Sequence, residues 1–170
     1  MSITKRTRIL AAVLATVLPF STGVAQAAGS KTATFDVTMR VVADCTISAA
    51  GIDFGQTGVM AAAINGTSNI NVTCTNTTPY NVGLDAGTGA GSTGTTRYMV
   101  GATGGNTDTV ELKLFRQAGT GLWGNTQGSD TVGGTGNGVA QVLTVYGEIP
   151  KQKAVTPDTY KSTITATIYF

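Results

Sequence analysis

The 170-residue sequence contains no histidine. That absence removes Ser-His-Asp and Cys-His catalysis and every histidine-containing metal site. Its nine carboxylates are dispersed, with no adjacent pair suited to acid–base work. No enzymatic activity, catalytic residue, cofactor or metal is therefore expected. Beyond Leu18 no apolar run is long enough to cross a bilayer, so no membrane span is expected in that part. Strong helix formers are scarce too, with two Glu and five Leu after residue 27.

The charge balance is also thinner than it looks. Eleven Lys and Arg against nine Asp and Glu give +2, but Lys5, Arg6 and Arg8 lie within the first eight residues. They precede the apolar run Ile9–Leu18 and the small-residue site Ala25-Gln26-Ala27. A basic start, a short apolar core and a small-x-small site predict a secretory signal peptide over residues 1–27. Cleavage there leaves 143 residues with eight cations and nine anions, net −1, and no basic stripe to hold nucleic acid. A chain of that length reads as one domain.

What is abundant is glycine, 23 residues, and threonine, 31. Branched Thr fits a pleated surface and Gly supplies turn corners, so the fold class is all-β. The only cysteines, Cys45 and Cys74, enclose 28 residues. In an exported chain they read as a structural staple worth roughly 3–4 kcal/mol. A reactive thiol pair is the alternative, without a C-x-x-C spacing to support it.

From Thr32 to Ile47 the sequence alternates with period two. Ala33, Phe35, Val37, Met39, Val41, Cys45 and Ile47 share one parity, mostly Thr and charged residues the other. Sixteen residues is about three times the usual strand. Either a bend near Val42-Ala43-Asp44 splits the run, or its first half pairs elsewhere. Further strands are predicted at Ile70–Thr75, Tyr80–Asp85, Val110–Phe115, Val139–Tyr146 and Tyr160–Phe170. Val139–Tyr146 is apolar on both parities, as for a central strand. In the last, Tyr160, Ile164, Ala166, Ile168 and Phe170 share a face. Gly87–Thr96 and Gly119–Gly138 read as surface loops. Many short strands with Gly-rich turns suggest an immunoglobulin-like sandwich.

Some motifs mislead. Gly89-Gly91-Gly94 and Gly119-Gly121-Gly124 match a dinucleotide fingerprint, but no helix is predicted after either. Asp53-Phe54-Gly55 reads as a strand end closed by a Gly turn. The sequons at Asn65, Asn71 and Asn76 imply no glycan by themselves, and Trp123 reads as a packed loop anchor rather than a sugar platform.

Taken in order, certain segments resemble the spore coat protein U domain family, which includes subunits of archaic chaperone–usher pili. They are the alternating N-terminal run with Cys45-Thr46-Ile47, Asp53-Phe54-Gly55, Asn71-Val72-Thr73-Cys74 and Tyr80 through Gly87. Arg97-Tyr98-Met99, Leu112 through Phe115, Trp123-Gly124, Val145 through Pro150 and the Tyr160–Phe170 strand follow. The resemblance covers essentially everything after residue 27. The chain departs from the family at Asp158, where Gly is usual, and at Lys161-Ser162, where Asp-Thr is common, so its turn before the last strand is expected to differ.

The resemblance implies a structural pilus subunit that supports adhesion and biofilm formation; a secreted spore or cell coat protein of the same family is the alternative. It implies an incomplete immunoglobulin-like β-sandwich completed by donor-strand complementation, and a Cys45–Cys74 disulfide. Residues 28–42 would be an N-terminal donor-strand segment with inward knobs Ala33, Phe35, Val37, Met39 and Val41, and residues 43–170 the pilin domain. The implied partners are a periplasmic chaperone, an outer-membrane usher and identical or homologous pilin subunits. The route runs through the periplasm to the cell surface.

Overall fold

The computed structural model describes residues 28–170; the expected signal peptide, residues 1–27, lies outside the described residues. The chain divides into two units between Met39 and Arg40. Residues 28–39 of the first contain no strand.

The second unit is all-β. Its ten strands are β1 (Cys45–Ala49), β2 (Ile64–Cys74), β3 (Pro79–Leu84), β4 (Arg97–Gly101) and β5 (Thr109–Gln117), then β6 (Thr120–Leu122), β7 (Val132–Thr135), β8 (Gln141–Ile149), β9 (Tyr160–Lys161) and β10 (Ala166–Tyr169). The larger sheet runs β1-β2-β8-β5-β4-β9, with β6 on β5. The smaller runs β10-β3-β7. Every pairing is antiparallel.

Period-two alternation sets the core. Ile70, Val72 and Cys74 of β2, with Val145 of β8 and Leu112 and Leu114 of β5 from the same sheet, form one core with Tyr80, Val82 and Leu84 of β3. A second cluster joins Met60, Val110 and Ile149. Trp123 is fully buried, and its indole N–H donates to the Val82 carbonyl at 2.8 Å. The packed-anchor reading of Trp123 thus holds, but the loop reading of Gly119–Gly138 does not. That stretch carries β6, β7 and the Trp. Its Gly134 packs against the Tyr80 ring, where a side chain would not fit.

Other expectations need correcting. The Thr32–Ile47 run is divided, but not into two strands: β1 starts at Cys45 and residues 32–44 contain none. Tyr160–Phe170 breaks into β9, paired with β4 in the larger sheet, and β10, paired with β3 in the smaller. Alternation persists across the break because Ile164, in the crossover, still packs on the core. Phe170 lies past the last paired residue and is exposed. β8 is central, as expected, but it runs Gln141–Ile149 rather than from Val139: Val139 lies exposed in the bend before it, and Val142 is exposed on its outer face. Asp53-Phe54-Gly55 is a Gly turn but not a strand end: the Gly55 N–H donates to Asp53 Oδ1 at 2.8 Å, and Gly55 sits at φ 70°.

Candidate functional site

Two strand edges lie open beside each other. β10 hydrogen-bonds β3 on one side and, among the described residues, no strand on the other. β1 likewise pairs only with β2. The direction of the unused groups on β10 follows from its bonds to the β3 side. The Thr163 and Thr165 carbonyls accept from Thr88 and Asp85, and the Thr165 N–H donates to the Asp85 side chain. Alternation turns the backbone N–H and C=O of Ile164, Ala166 and Ile168 the opposite way, to the open edge.

An apolar groove of about 300 Å³ lies between these edges. Ile70, Leu112, Leu114 and Val145 form its floor. Ala49, Ile52 and Phe54 line the side that continues from β1, and Ile164 and Ala166 the side of β10. Leu84 and Met99 also reach it, as does Ser162, whose hydroxyl is buried with no hydrogen-bond partner among the described residues. Backbone donors and acceptors in a row above an apolar floor form a template for one more strand.

The walls are held firmly. The disulfide Cys45–Cys74 joins directly paired residues of β1 and β2, with Cα atoms 4.1 Å apart. Asp44 extends that ladder: its N–H donates to Thr75 Oγ1 at 3.1 Å and its carbonyl accepts from Thr75 N–H at 2.9 Å. Behind the groove, fully buried Arg97 donates to the carbonyls of Leu84, Asp85 and Trp123 at 2.9, 2.9 and 2.7 Å. One guanidinium so joins β3, β4 and the Trp123 segment. Its desolvation pulls its pKa below the ordinary value, opposed by the nearby charges of Asp85 and Asp130.

Asp158, the departure before the closing strand, is a clamp. It accepts from Asn106 Nδ2 at 2.8 Å, from the Thr103 N–H and hydroxyl at 2.9 and 3.0 Å, and from the Thr159 N–H at 2.7 Å. The Asn106 amide, with the Thr103 N–H next, holds its carboxyl at about 2, below the ordinary 3.8. Asp108 repeats the device on the Thr156 N–H and hydroxyl, at 2.8 and 2.7 Å, and its pKa is lowered likewise.

The row of apolar residues before β1 is exposed. Phe35, Val37 and Met39 are 86, 85 and 86 % exposed, Val41 is 70 %, and Ala33 is exposed as well. Residues 28–44 contain no strand. Sequence reasoning named this row and the disulfide. It missed the groove-lining Ile52 and Phe54, although the Phe54 tripeptide was visible, and it missed the role of Arg97, where a charge preceding an alternating Tyr-Met pair was the available signal.

A family model described as the Spore Coat Protein U domain matches residues 31–167. The fold is similar to a chain in the crystal structure of the CsuC–CsuE chaperone–tip adhesion subunit pre-assembly complex from archaic chaperone–usher Csu pili of Acinetobacter baumannii. That match has 23 % identity and a TM-score of 0.53 over 76 % of this chain, which spans 40 % of the matched one. The E. coli Hda pilus minor tip subunit, HdaB, aligns at 17 % identity and TM-score 0.38, over 74 % of this chain and 79 % of its own, too low to carry an argument. No curated protein matches significantly. On the family match, which spans most of its length and includes both cysteines, the chain belongs to the Spore Coat Protein U domain family.

Proposed function

We propose that this protein is a structural subunit of a chaperone–usher surface pilus, joined head to tail by donor-strand exchange. The open groove beside the β10 edge carries the reading: it lacks one strand, and the same chain has an unpaired strand-like segment of the required pattern. Residues 28–42 of one copy supply the donor to residues 43–170 of the next, with Ala33, Phe35, Val37, Met39 and Val41 as its inward knobs. From Ala33 to Val41 an extended chain covers ~26 Å, and Ser162 to Tyr169 covers ~23 Å at the same rise, so the segment suits the wall it is to join. Backbone bonds to the Ile164, Ala166 and Ile168 edge give the ladder, and alternate side chains fill the groove.

Before exchange, a periplasmic chaperone covers the groove and an outer-membrane usher hosts the replacement; the fibre then reaches the cell surface, where it supports adhesion and biofilm formation. A contact between two different surfaces of identical copies, one that does not close on itself, generates a filament. The test is a chain beginning at residue 43, expressed with its chaperone. It should remain chaperone-bound and fail to polymerise, and fibres should return when the segment is restored. A stable, free monomer from the truncated chain would falsify donor-strand exchange.

A further inference from the structure

The groove carries a second feature, built from its own chain. After β1 the segment Gly51–Val59 runs without a strand, pinned at its ends by Ala50 N–H to the Asn69 carbonyl at 3.1 Å and by Gln152 N–H to the Met60 carbonyl at 3.3 Å. Between these pins, Ile52 and Phe54 are half-buried and their neighbours exposed. Both side chains rest on one spot of the larger sheet, where Gly66 of β2 stands directly opposite Gly147 of β8. A Cβ at Gly66 would lie 2.7 Å from Ile52 Cγ2, and one at Gly147 would lie 2.8 Å from Phe54 Cζ and 2.9 Å from Ile52 Cδ1. Real side chains do not approach so closely, so the paired glycines form a dent that Ile52 and Phe54 occupy.

Those same side chains line the groove. Their spacing, two apart and facing one floor, is that of a donor's knobs. The donor row is bounded as well. Lys31 and Ala43 are the next positions of its parity, and neither carries a large apolar group. Five knobs flanked by a charge and a methyl suit a groove stopped at one end.

Resting on the donor-strand reading above, we propose that Phe54, seated with Ile52 over the Gly66–Gly147 pair, is a built-in end stop. It takes the place of a sixth knob and fixes the register at which a neighbouring copy's donor segment docks. Ile52 and Phe54 are positioning residues in this scheme, and a groove without Phe54 takes one more large donor side chain.

Each copy carries both donor and groove, so the full chain tests this by a size exchange. The variants are Phe54→Ala, Ala43→Leu, Lys31→Leu and the two doubles with Phe54→Ala, the donor ends being probed separately. Fibres made with the chaperone and usher are diluted into denaturant, and the rate of release of subunits is measured. Ala43→Leu or Lys31→Leu, whichever end meets the stop, should speed release roughly tenfold in the Phe54 chain by overpacking. Phe54→Ala should do the same by leaving a void. Their combination should return to within about threefold of the unaltered fibre, the coupling expected of residues in contact. Phe54→Leu, checked for folding by Trp123 fluorescence, gives a smaller effect of the same sign where Phe54→Ala fails to fold. Rate effects that multiply independently at both donor ends overturn the end stop and leave donor exchange standing. Fibres whose formation does not depend on residues 28–42 overturn both.

Discussion

Truncating one donor knob should weaken the junction between subunits and leave the subunit itself untouched. Phe35 is 86 % exposed before assembly, so Phe35→Ala removes almost nothing from the fold of its own chain. In a neighbour's groove the ring would be withdrawn from water, and its loss there counts twice, through transfer and through the void it leaves. That sum is about 3–5 kcal/mol for a buried Phe. At about 1.4 kcal/mol per tenfold, the junction should dissociate roughly two to three orders of magnitude faster. Met39→Ala should come next, at ~2–5 kcal/mol. Val37→Ala and Val41→Ala lose two methyl equivalents each and should cost about 1.6 kcal/mol or a little more. The other parity supplies the control, because Thr34, Asp36 and Thr38 are as exposed as the knobs. Exposure therefore cannot separate the two sets; only the pleat can. Release of subunits from fibres in denaturant measures the junction, and Trp123 fluorescence of the chaperone-bound subunit measures the fold. Equal effects from Thr34→Ala and Phe35→Ala, or a Phe35→Ala subunit that is itself destabilised, would refute the assignment of knobs.

Three further outcomes follow from the sandwich. Replacing both Cys45 and Cys74 with Ser frees a 28-residue loop and should lower unfolding free energy by roughly 3–4 kcal/mol in urea titration. Because β1 is a wall of the groove, polymer yield should fall with it. Arg97→Met leaves the carbonyls of Leu84, Asp85 and Trp123 without their donor in a buried site, at a cost of about 3–5 kcal/mol by chemical denaturation. The Asp158 carboxyl, held at about 2 against 3.8, contributes stability that is full above pH 4 and lost as the pH falls toward 2. Protection of the Thr103 and Thr159 amides, relative to their intrinsic exchange rates, should fall over that window, and protection of Thr156 should fall as Asp108 protonates. Asp158→Asn should abolish most of the pH dependence at Thr103.

Composition and period made the class of fold and most of its central strands readable. β2, β3 and β5 alternate Ile, Val, Leu and Tyr against Thr, Asn and Lys, and a half-buried pleat is the structure that sorts them, while β8 was legible as a short run apolar on both parities. β6 and β7 were not readable, since Thr-Gly-Leu and Val-Gly-Gly-Thr carry too little apolar weight to show a period. What makes them strands is distant: β7 is received by β3, whose Tyr80 ring needs the bare backbone of Gly134 beneath it. The break between β9 and β10 is hidden for the opposite reason. Ile164 keeps the alternation going through the crossover, so the pattern is continuous where the pairing is not. The alternating row before β1 was legible because its period stands alone. The groove was not, because its floor is the ordinary core of β2, β5 and β8, and an unpaired edge of β10 leaves no trace in the residues of β10.

The link between donor and domain bears on why this chain would form fibres rather than close on itself. Asp44 already belongs to the β1–β2 ladder through its two bonds to Thr75, and only Ala43 separates it from Val42, the end of the proposed donor segment. A two-residue hairpin that folded the segment back directly beside β1 would fall at Ala43-Asp44. Such turns need φ > 0 at one or both central residues, which is why Asn-Gly and Gly-x pairs dominate them. Ala43 disfavours that region, and Asp44 is held in strand geometry by its ladder bonds. The sequence thus disfavours that tight turn, and Phe35, Val37, Met39 and Val41 stay exposed. On the donor-strand reading, a groove one strand short and a heterologous contact between copies would together generate an open filament.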